Sequence, residues 1–288
     1  MKIATVLIAH NVELWVAEAV TSVLRQTRPP EHLIVVENGS SDRTIEAIKK
    51  ATAGHFAGRL TLLSEVALGA GGARNRGAEV ALDNDADVIG FLDGDDWWQP
   101  RFLERLSCAL QIDSSARASF GWPLIRSESG QLRGVRLRFK RTFNYDDLLW
   151  YKSPMLTGSN MMVRATAFGA IDGFDPSIKN GEDWEFLLRL VRSGGTIRCL
   201  PAFVVNYRRR FDSRSTEILA AVQGLKKIGE VHPGTRRAKH WWWPLNQAHE
   251  HGQAQLIHQI QQERPRVQPS DYLSFQFVKY ARHFLRRA

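Results

Sequence analysis

Residues 87–96 read Asp-Val-Ile-Gly-Phe-Leu-Asp-Gly-Asp-Asp. The apolar run Val88–Leu92, bounded by turn-forming residues, is typical of a buried strand, and three carboxylates follow it within four positions. Carboxylates at the exit of a buried strand repel one another unless a cation lies nearby, and Mg²⁺ or Mn²⁺ holding a diphosphate would supply one. Asp-Gly is also a common turn, so by itself the stretch is equally consistent with a plain polar loop.

The residues before this stretch alternate between strand and helix patterns. Strands are predicted at Ile3–Ala9, Leu33–Val36 and Leu60–Leu63, and helices over Val12–Leu24, Thr44–Ala51 and from Gly69 to about Leu82. Such alternation predicts an α/β fold with a doubly wound, mostly parallel sheet and flanking helices.

Polar residues follow three of these strands at the point where each strand ends. They are His10-Asn11 after the first, Glu37 after the second, and Asp93 and Asp95 after the fourth. Ligands of doubly wound sheets bind at the carboxyl ends of the strands, so we expect these side chains to form one binding site.

The second half of the chain predicts a smaller antiparallel part and a helical tail. Residues 132–141 alternate between apolar and basic side chains, which is typical of a half-exposed strand. Further elements are expected at Phe102–Ile112 (helix), Met161–Val163 (strand), from Glu182 to Gly194 (helix), and at Ile197–Leu200 and Phe203–Val205 (strands). We therefore predict one domain over 1–214, with halves 1–98 and 99–214, and a helical, basic extension over 215–288.

Composition narrows the possible partners. The chain has 288 residues, a net charge of +9 and a pI near 9.8, which suits anionic partners. Cys108 and Cys199 are isolated, which argues against a structural zinc site and favours a reducing compartment. No stretch has the length of a signal peptide core or a membrane span, so we expect a cytoplasmic protein.

Two segments resemble known binding motifs but lack residues that those motifs require. Gly69-x-Gly71-x-x-Arg74 lacks the third glycine of a dinucleotide fingerprint and follows the third strand rather than the first. Residues 83–87 resemble the start of an EF-hand loop, but Val88 replaces its central glycine and Gly94 its terminal glutamate. Both interpretations are rejected, although a Gly-rich helix start followed by an arginine still suits a nucleoside diphosphate.

For three other segments, the local sequence is consistent with either a structural or a functional role. Glu182-Asp183 is either an acidic helix start, favoured by the helix dipole, or the location of a general base. Arg208–Arg210 and Arg214 either form a solvated face or close over a diphosphate. The aromatic and basic residues of Trp241–Trp243 and Phe277–Leu285 suit either a helical core or a membrane surface.

Taken together, the motifs from Ile3 to Ser215 resemble family 2 glycosyltransferases, which have the GT-A fold and invert the anomeric centre. Four segments carry the resemblance: 6–11, 36–42, 69–77 leading to the D-x-D of 93–96, and 173–184 leading to 207–209. The resemblance implies a metal, Mn²⁺ or Mg²⁺, on Asp95 with Asp93 beside it. It also implies that Asp183 deprotonates the acceptor hydroxyl, which makes the base the favoured interpretation of Glu182-Asp183.

The resemblance also implies that 1–98 is the nucleotide-binding half and 99–214 the acceptor-binding half of a GT-A glycosyltransferase domain, and it assigns the donor site. The predicted nucleotide-sugar-binding residues are Ala9, His10, Asn11, Glu37, Gly69, Arg74, Asp93, Gly94, Glu182, Arg208 and Arg210. Four positions depart from the family pattern: Ala9 and His10 replace a Thr-Tyr pair, Glu37 replaces an aspartate, and Arg210 replaces a histidine near the metal. A guanidinium cannot ligate a metal, so Arg210 is expected to neutralise phosphate and weaken metal affinity.

The expected function is transfer of a sugar from a nucleotide-diphosphate sugar, with UDP favoured, to a hydroxyl group. The acceptor would be a saccharide or a lipid-linked molecule in the synthesis of cell-surface polysaccharide or glycolipid. The alternatives are a sugar-phosphate nucleotidyltransferase and a basic module that binds membranes or polyanions. Nucleic acid is not an expected partner, the basic tail allows peripheral contact with the inner face of the cell membrane, and the sequence leaves the oligomeric state open.

Overall fold

The structure, a computed structural model, describes residues 1–53, 58–66, 68–151, 154–155, 157–192, 194–210, 218–233, 238–241, 244–245, 247–248 and 254–263. The strands are β1 (Ile3–Ala9), β2 (His32–Asn38), β3 (Arg59–Glu65), β4 (Val88–Asp93), β5 (Trp97–Trp98), β6 (Ala116–Arg126), β7 (Leu132–Val135), β8 (Thr142–Phe143), β9 (Met161–Arg164) and β10 (Thr196–Arg208). The helices are α1 (Val16–Leu24), α2 (Thr44–Thr52), α3 (Gly69–Asp83), α4 (Phe102–Ile112), α5 (Tyr145–Tyr151), α6 (Ala165–Gly169), α7 (Glu182–Arg192), α8 (Ile218–Val231) and α9 (Ala254–Glu263). Short 3₁₀ helices cover Gly158–Asn160 and Ala238–Trp241.

The strands form one mixed sheet in the order β3-β2-β1-β4-β9-β6-β10-β5, with β7 beside β6 and β8 beside β10. The strands β3, β2, β1 and β4 are mutually parallel, as the strand–helix alternation predicts. Strand β9 is antiparallel to both β4 and β6, and it joins this parallel half to the second half of the sheet. The expected α/β fold with a mostly parallel sheet and a small antiparallel part is confirmed.

The parallel half follows from its apolar pattern. All seven residues of β1 and of β2 are buried, because helices cover both faces of a parallel sheet. Helix α1 buries Val16, Ala19, Val20 and Val23, a helical spacing that points one face at the core.

The prediction of a strand over 132–141 is wrong beyond Val135. Val135 pairs with Leu124 of β6, and the next position would pair with Pro123. Proline has no N–H to donate to a neighbouring strand, so the ladder ends there with one bond from Arg136 N to Pro123 O (3.3 Å). Residues 136–140 continue outside the sheet.

Two further strands differ from the sequence prediction. The segments 197–200 and 203–205 belong to one strand, β10, which is irregular between Cys199 and Phe203, where Pro201 stands. Strand β6 is absent from the sequence prediction because Arg117, Gly121 and Pro123 interrupt its apolar pattern.

The chain divides into two compact units. One consists of Met1–Ser177 with Glu182–Asp212, and the other of Ile178–Gly181 with Ser213–Ala288. The second unit contains α8 and α9, and the domain boundary predicted at residue 214 stays a prediction. Among the described helices, none combines the length and apolar character needed to cross a bilayer.

Gly77 lets α3 lie directly on the sheet. A Cβ at this position would overlap Val6 Cγ1 and approach Val36 Cγ2 to 3.1 Å. Both valines are fully buried, so they have little room to move.

We expect Gly77→Ala to lower the free energy of unfolding by about 1–3 kcal/mol, because overpacking outweighs the gain in helix propensity. Urea denaturation would measure the change. Gly134→Ala is the control, since a Cβ there meets nothing within 4 Å. Equal stability of the Gly77→Ala variant and the wild type would contradict close packing of α3 on β1 and β2.

Candidate active site

The predicted site residues meet at one edge of the sheet. Ala9 at the end of β1 pairs with Glu37 of β2, and Ile8 pairs with Asp93 of β4. Gly94 N donates to Ile8 O (2.8 Å), which folds the acidic loop back over the end of β1. The structure therefore brings the three strand exits together, while the role assigned to each residue stays a prediction.

The loop after β1 is tied to the loop after β2. The His10 Nδ1 atom lies 2.9 Å from Asn38 O, and Asn11 N donates to Ser40 Oγ (3.0 Å). Asn11 has a φ of 51°, and its side-chain oxygen accepts from Ser41 N (2.9 Å). Asparagine tolerates this left-handed conformation, so the turn presents the exposed His10 ring at the edge of the site.

The polar end of β2 holds the surrounding loops. Glu37 is buried, and its two oxygens accept from Ser40 N (2.6 Å) and Ser64 Oγ (3.1 Å). Asn38 Oδ1 accepts from Leu68 N (2.8 Å), next to Gly69, the first residue of α3. In this structure Glu37 therefore shapes its own loop, and contact with a base or ribose stays its predicted role.

Arg74 is a deeply buried cation of the site, with 3% of its surface exposed. Its Nη2 donates to Asp93 Oδ1 (2.7 Å) and its Nη1 to Glu182 Oε1 (2.9 Å). A Cβ on Gly158 would lie 2.8 Å from Nη2, so the glycine makes room for the guanidinium. Arg74 thus joins β4 to α7, which lie in the predicted nucleotide-binding and acceptor-binding halves.

The electrostatics of Arg74 are those of a structural ion pair. Burial acts to lower its pKa, but the charges of Asp93 and Glu182 and their hydrogen bonds outweigh burial and raise it. The guanidinium carbon lies 5.4 Å from the centre of the Phe174 ring. Its Nε has no hydrogen-bond partner among the described residues.

Asp95 has an arginine as its nearest cation. Arg210 Nη1 lies 3.3 Å from Asp95 Oδ2, and Arg210 Nη2 donates to Asn11 O (3.5 Å). The Arg210 guanidinium carbon lies 4.3 Å from the centre of the Trp15 ring. Burial and the charge of Asp93 raise the pKa of Asp95, and Arg210 acts in the opposite direction.

Asp96 and Arg208 form the inner wall behind Asp95. Asp96 is 2% exposed, and its oxygens accept from Thr157 Oγ1 (3.1 Å) and from Arg208 N (2.8 Å). Arg208 Nε donates to Asp95 O (2.9 Å), and its guanidinium carbon lies 4.6 Å from the centre of the Trp97 ring. Burial, with the charges of the two neighbouring aspartates, holds the pKa of Asp96 well above its usual value.

The predicted base lies at the start of α7. Asp183 is partly exposed, and its Oδ1 accepts from Trp184 N (2.7 Å). Burial and the charge of Asp183 raise the pKa of Glu182, while Arg74 opposes them. The charge of Asp183 also acts on Arg136, which follows β7.

Sequence reasoning missed several residues that contact the acidic loop. Asp96 belongs to the acidic run, but nothing in the sequence indicated a role for it. Ser159 Oγ accepts from Asp93 N (3.0 Å), and Thr157 bonds to Asp96. The small polar run of residues 157–160, placed before a buried strand, is the signal that could have pointed to them.

Some predicted features lie outside the described residues. They are Arg214, Trp242, Trp243 and the basic segment Phe277–Leu285 with Arg286 and Arg287. Among the described residues, no group of three or more His, Cys, Asp and Glu side chains could hold a metal ion by itself.

The sequence of residues 5–171 matches the family model "Glycosyl transferase family 2". The match covers more than half of the 288 residues. This chain belongs to glycosyl transferase family 2. The matched region begins within β1, contains β2 to β4, the acidic loop and Arg74, and ends before α7.

Two curated relatives of this family 2 chain come from Bacillus subtilis. The chain is 26% identical over 216 residues to "Uncharacterized glycosyltransferase EpsJ", an alignment that covers 71% of this chain and 60% of EpsJ. It is 25% identical over 200 residues to "Putative teichuronic acid biosynthesis glycosyltransferase TuaG", covering 69% and 76% of the two chains.

Solved structures of S. aureus TarS share the fold. The crystal structure of TarS 1-349 in complex with UDP-GlcNAc has a TM-score of 0.63 and 17% identity, and the match covers 80% of this chain and 66% of that one. The similarity supports the GT-A architecture of this family 2 chain. The chain spans less than two thirds of the length of EpsJ and of the TarS fragment.

We expect Arg74→Gln to lower the free energy of unfolding by about 3–5 kcal/mol, because it leaves two largely buried carboxylates without their cation. Arg76→Gln, on the same helix, is the control. Arg76 also pairs with two acids, Glu65 and Glu79, but 39% of its side chain is exposed, and we expect a change of about 0–1 kcal/mol. Urea denaturation of both variants would measure the difference, and equal losses would contradict a structural role of the Arg74 pairs.

Proposed function

We propose that this chain catalyses inverting transfer of a sugar from a nucleotide-diphosphate sugar, with UDP favoured, to a hydroxyl of a saccharide or lipid-linked acceptor. One observation carries the proposal: Arg74 ties the acidic exit of β4 directly to the residue beside Asp183, 2.7 and 2.9 Å from the two carboxylates. A donor held at the strand exits would then present its anomeric carbon near the proposed base. The UDP-GlcNAc complex of TarS supports a nucleotide-sugar donor, and the name of TuaG supports a place in polysaccharide synthesis.

The donor's nucleotide would lie over the exits of β1 and β2. His10 is exposed there and offers a ring for stacking on a base. Arg210 lies beside Asp95 with its guanidinium stacked on Trp15, and it would contact the diphosphate. Arginine suits this role because it makes bidentate contacts with phosphate oxygens.

Asp95 and Asp93 fit a divalent cation in the choice of donor atoms. Both supply carboxylate oxygens, the ligand atoms that Mg²⁺ and Mn²⁺ prefer. Burial and the charge of Asp93 raise the pKa of Asp95, so a nearby cation would favour its charged form. No described cluster could hold a metal by itself, so the donor's phosphate oxygens would complete the coordination. When bound there, Mn²⁺ or Mg²⁺ would neutralise charge on the departing diphosphate.

Asp183 would act as the general base. It takes the proton of the acceptor hydroxyl as that oxygen bonds to the anomeric carbon, while the bond between this carbon and the diphosphate oxygen breaks. Attack from the face opposite the diphosphate inverts the anomeric centre, and no covalent sugar–enzyme intermediate is required. Glu182 holds the start of α7 through Arg74 and so positions Asp183.

We expect Asp95→Ala to weaken UDP binding at least about tenfold in the presence of Mn²⁺, with a smaller change without metal. Isothermal titration calorimetry would measure both conditions. Asp87→Asn is the control, because Asp87 precedes β4 at the end opposite Asp95. Binding of UDP that is insensitive to Mn²⁺ in the wild type would contradict the metal site, and absence of UDP binding altogether would favour a polyanion-binding module.

We expect Asp183→Asn to lower kcat by at least about 100-fold while UDP affinity changes by less than about twofold, because a general base acts only on the acceptor. UDP release from UDP-GlcNAc with a panel of saccharide acceptors would measure turnover. Asp146→Asn is the control, since Asp146 is an exposed acid in the first turn of α5. If both variants keep wild-type turnover, Asp183 is only an acidic helix start.

A further inference from the structure

Arg136 is a partly buried arginine whose charge no described acid neutralises by direct contact. It directly follows β7, where its backbone N donates to Pro123 O (3.3 Å). No hydrogen bond or ion pair of its guanidinium is found among the described residues, whereas Arg74, Arg189 and Arg208 each pair with a glutamate. Burial lowers the pKa of Arg136 to about 10, the charge of Arg138 acts in the same direction, and Asp183 opposes both.

An arginine in this state is costly for the fold. Removing a guanidinium from water without a counter-charge is unfavourable, and an anionic ligand in contact with it would supply the missing charge. Arg138 does not relieve the cost, since it is itself a cation and its Nε donates to Pro154 O (3.1 Å). No ion pair between Asp183 and Arg136 is found among the described residues, but the charge of Asp183 acts on Arg136 in the direction that raises its pKa.

The residues next to Arg136 in the sequence are also basic. Residues 133–141 contain five cations and no acid. The backbone of this segment is held in place, because Trp122 Nε1 donates to Arg138 O (3.0 Å). The Trp122 ring packs at 6.3 Å from Phe139, whose side chain is 81% exposed. An anionic molecule that reaches Asp183 along this segment would meet basic and aromatic side chains.

We propose that the acceptor is anionic and that Arg136 binds its carboxylate or phosphate group close to the hydroxyl that Asp183 deprotonates. The proposal rests on the proposed function of Asp183 and adds the chemical class of the acceptor. Arginine suits either oxyanion, because its planar fork makes two parallel hydrogen bonds to both. Arg136 is thus a specificity-determining residue, and a neutral acceptor would leave its charge without a partner.

The test compares Arg136→Gln with Arg133→Gln, an exposed arginine of β7. With Mn²⁺ and saturating UDP, which fills the donor site, calorimetry would follow binding of methyl β-D-glucuronide and glycerol 1-phosphate. Methyl β-D-glucoside and glycerol are the neutral counterparts. We expect at least one anion to bind the wild type and Arg133→Gln more tightly than its neutral counterpart, and to lose about tenfold or more in affinity in Arg136→Gln. The two anions distinguish a carboxylate from a phosphate acceptor.

A stability measurement separates this role from a structural one. Without an anion, Arg136→Gln should melt at the same temperature as the wild type or higher, because it removes an uncompensated charge. Arg136→Lys keeps the charge but loses the bidentate geometry, and it should show intermediate anion affinity. A large loss of melting temperature in Arg136→Gln, equal affinity for anionic and neutral compounds, or no binding of either anion would overturn the proposal. Failure of UDP binding would instead count against the proposed function.

Discussion

The candidate site depends on one buried guanidinium. Arg74 reaches from α3 to a carboxylate at the end of β4 and to another at the start of α7, so a single side chain links these three elements. Burial raises the pKa of Glu182, and the charge of Arg74 opposes that rise. The ion pair therefore couples the stability of the fold to the geometry of the proposed chemistry.

The other two aspartates of the acidic loop also contact arginines. Asp95 lies beside Arg210, and Asp96 accepts from the backbone N of Arg208. Both arginines also stack on tryptophan rings, Arg210 on Trp15 and Arg208 on Trp97, which restricts where their charges can move. In the proposed function, the metal and the diphosphate of the donor would take over these contacts: the metal would bind the carboxylates and the phosphates would bind the arginines.

Arg136 contrasts with these balanced charges. Every other arginine named at the site has a described partner, and Arg136 instead lies within the field of the proposed base. In a chain of net charge +9, an exposed arginine without a partner is solvated by water and would not affect substrate selection. A partly buried arginine would instead disfavour substrates that leave its charge without a partner. We therefore expect the proposed acceptor site to select acceptors by their charge.

Much of the first half could be predicted because its pattern is local. Strands β1, β2 and β4 are continuous apolar runs, and their polar residues come directly after them along the chain. The second half was harder to predict, because prolines and glycines interrupt β6 and β10 and because β7 ends where it meets Pro123. The assignment of Asp95 and Asp183 to chemical roles depended on the resemblance to a family, since each has a plain local interpretation.

The sequence by itself determined that acidic and polar side chains would gather at one edge of a parallel sheet, because strand direction and the alternation with helices follow from local periodicity. Only the tertiary structure decided which charges meet. Arg74 and Glu182 are 108 residues apart, and Asp96 and Arg208 are 112 apart. Contacts of this kind depend on sheet register, side-chain direction and burial, and none of these can be derived from the residues of one segment alone.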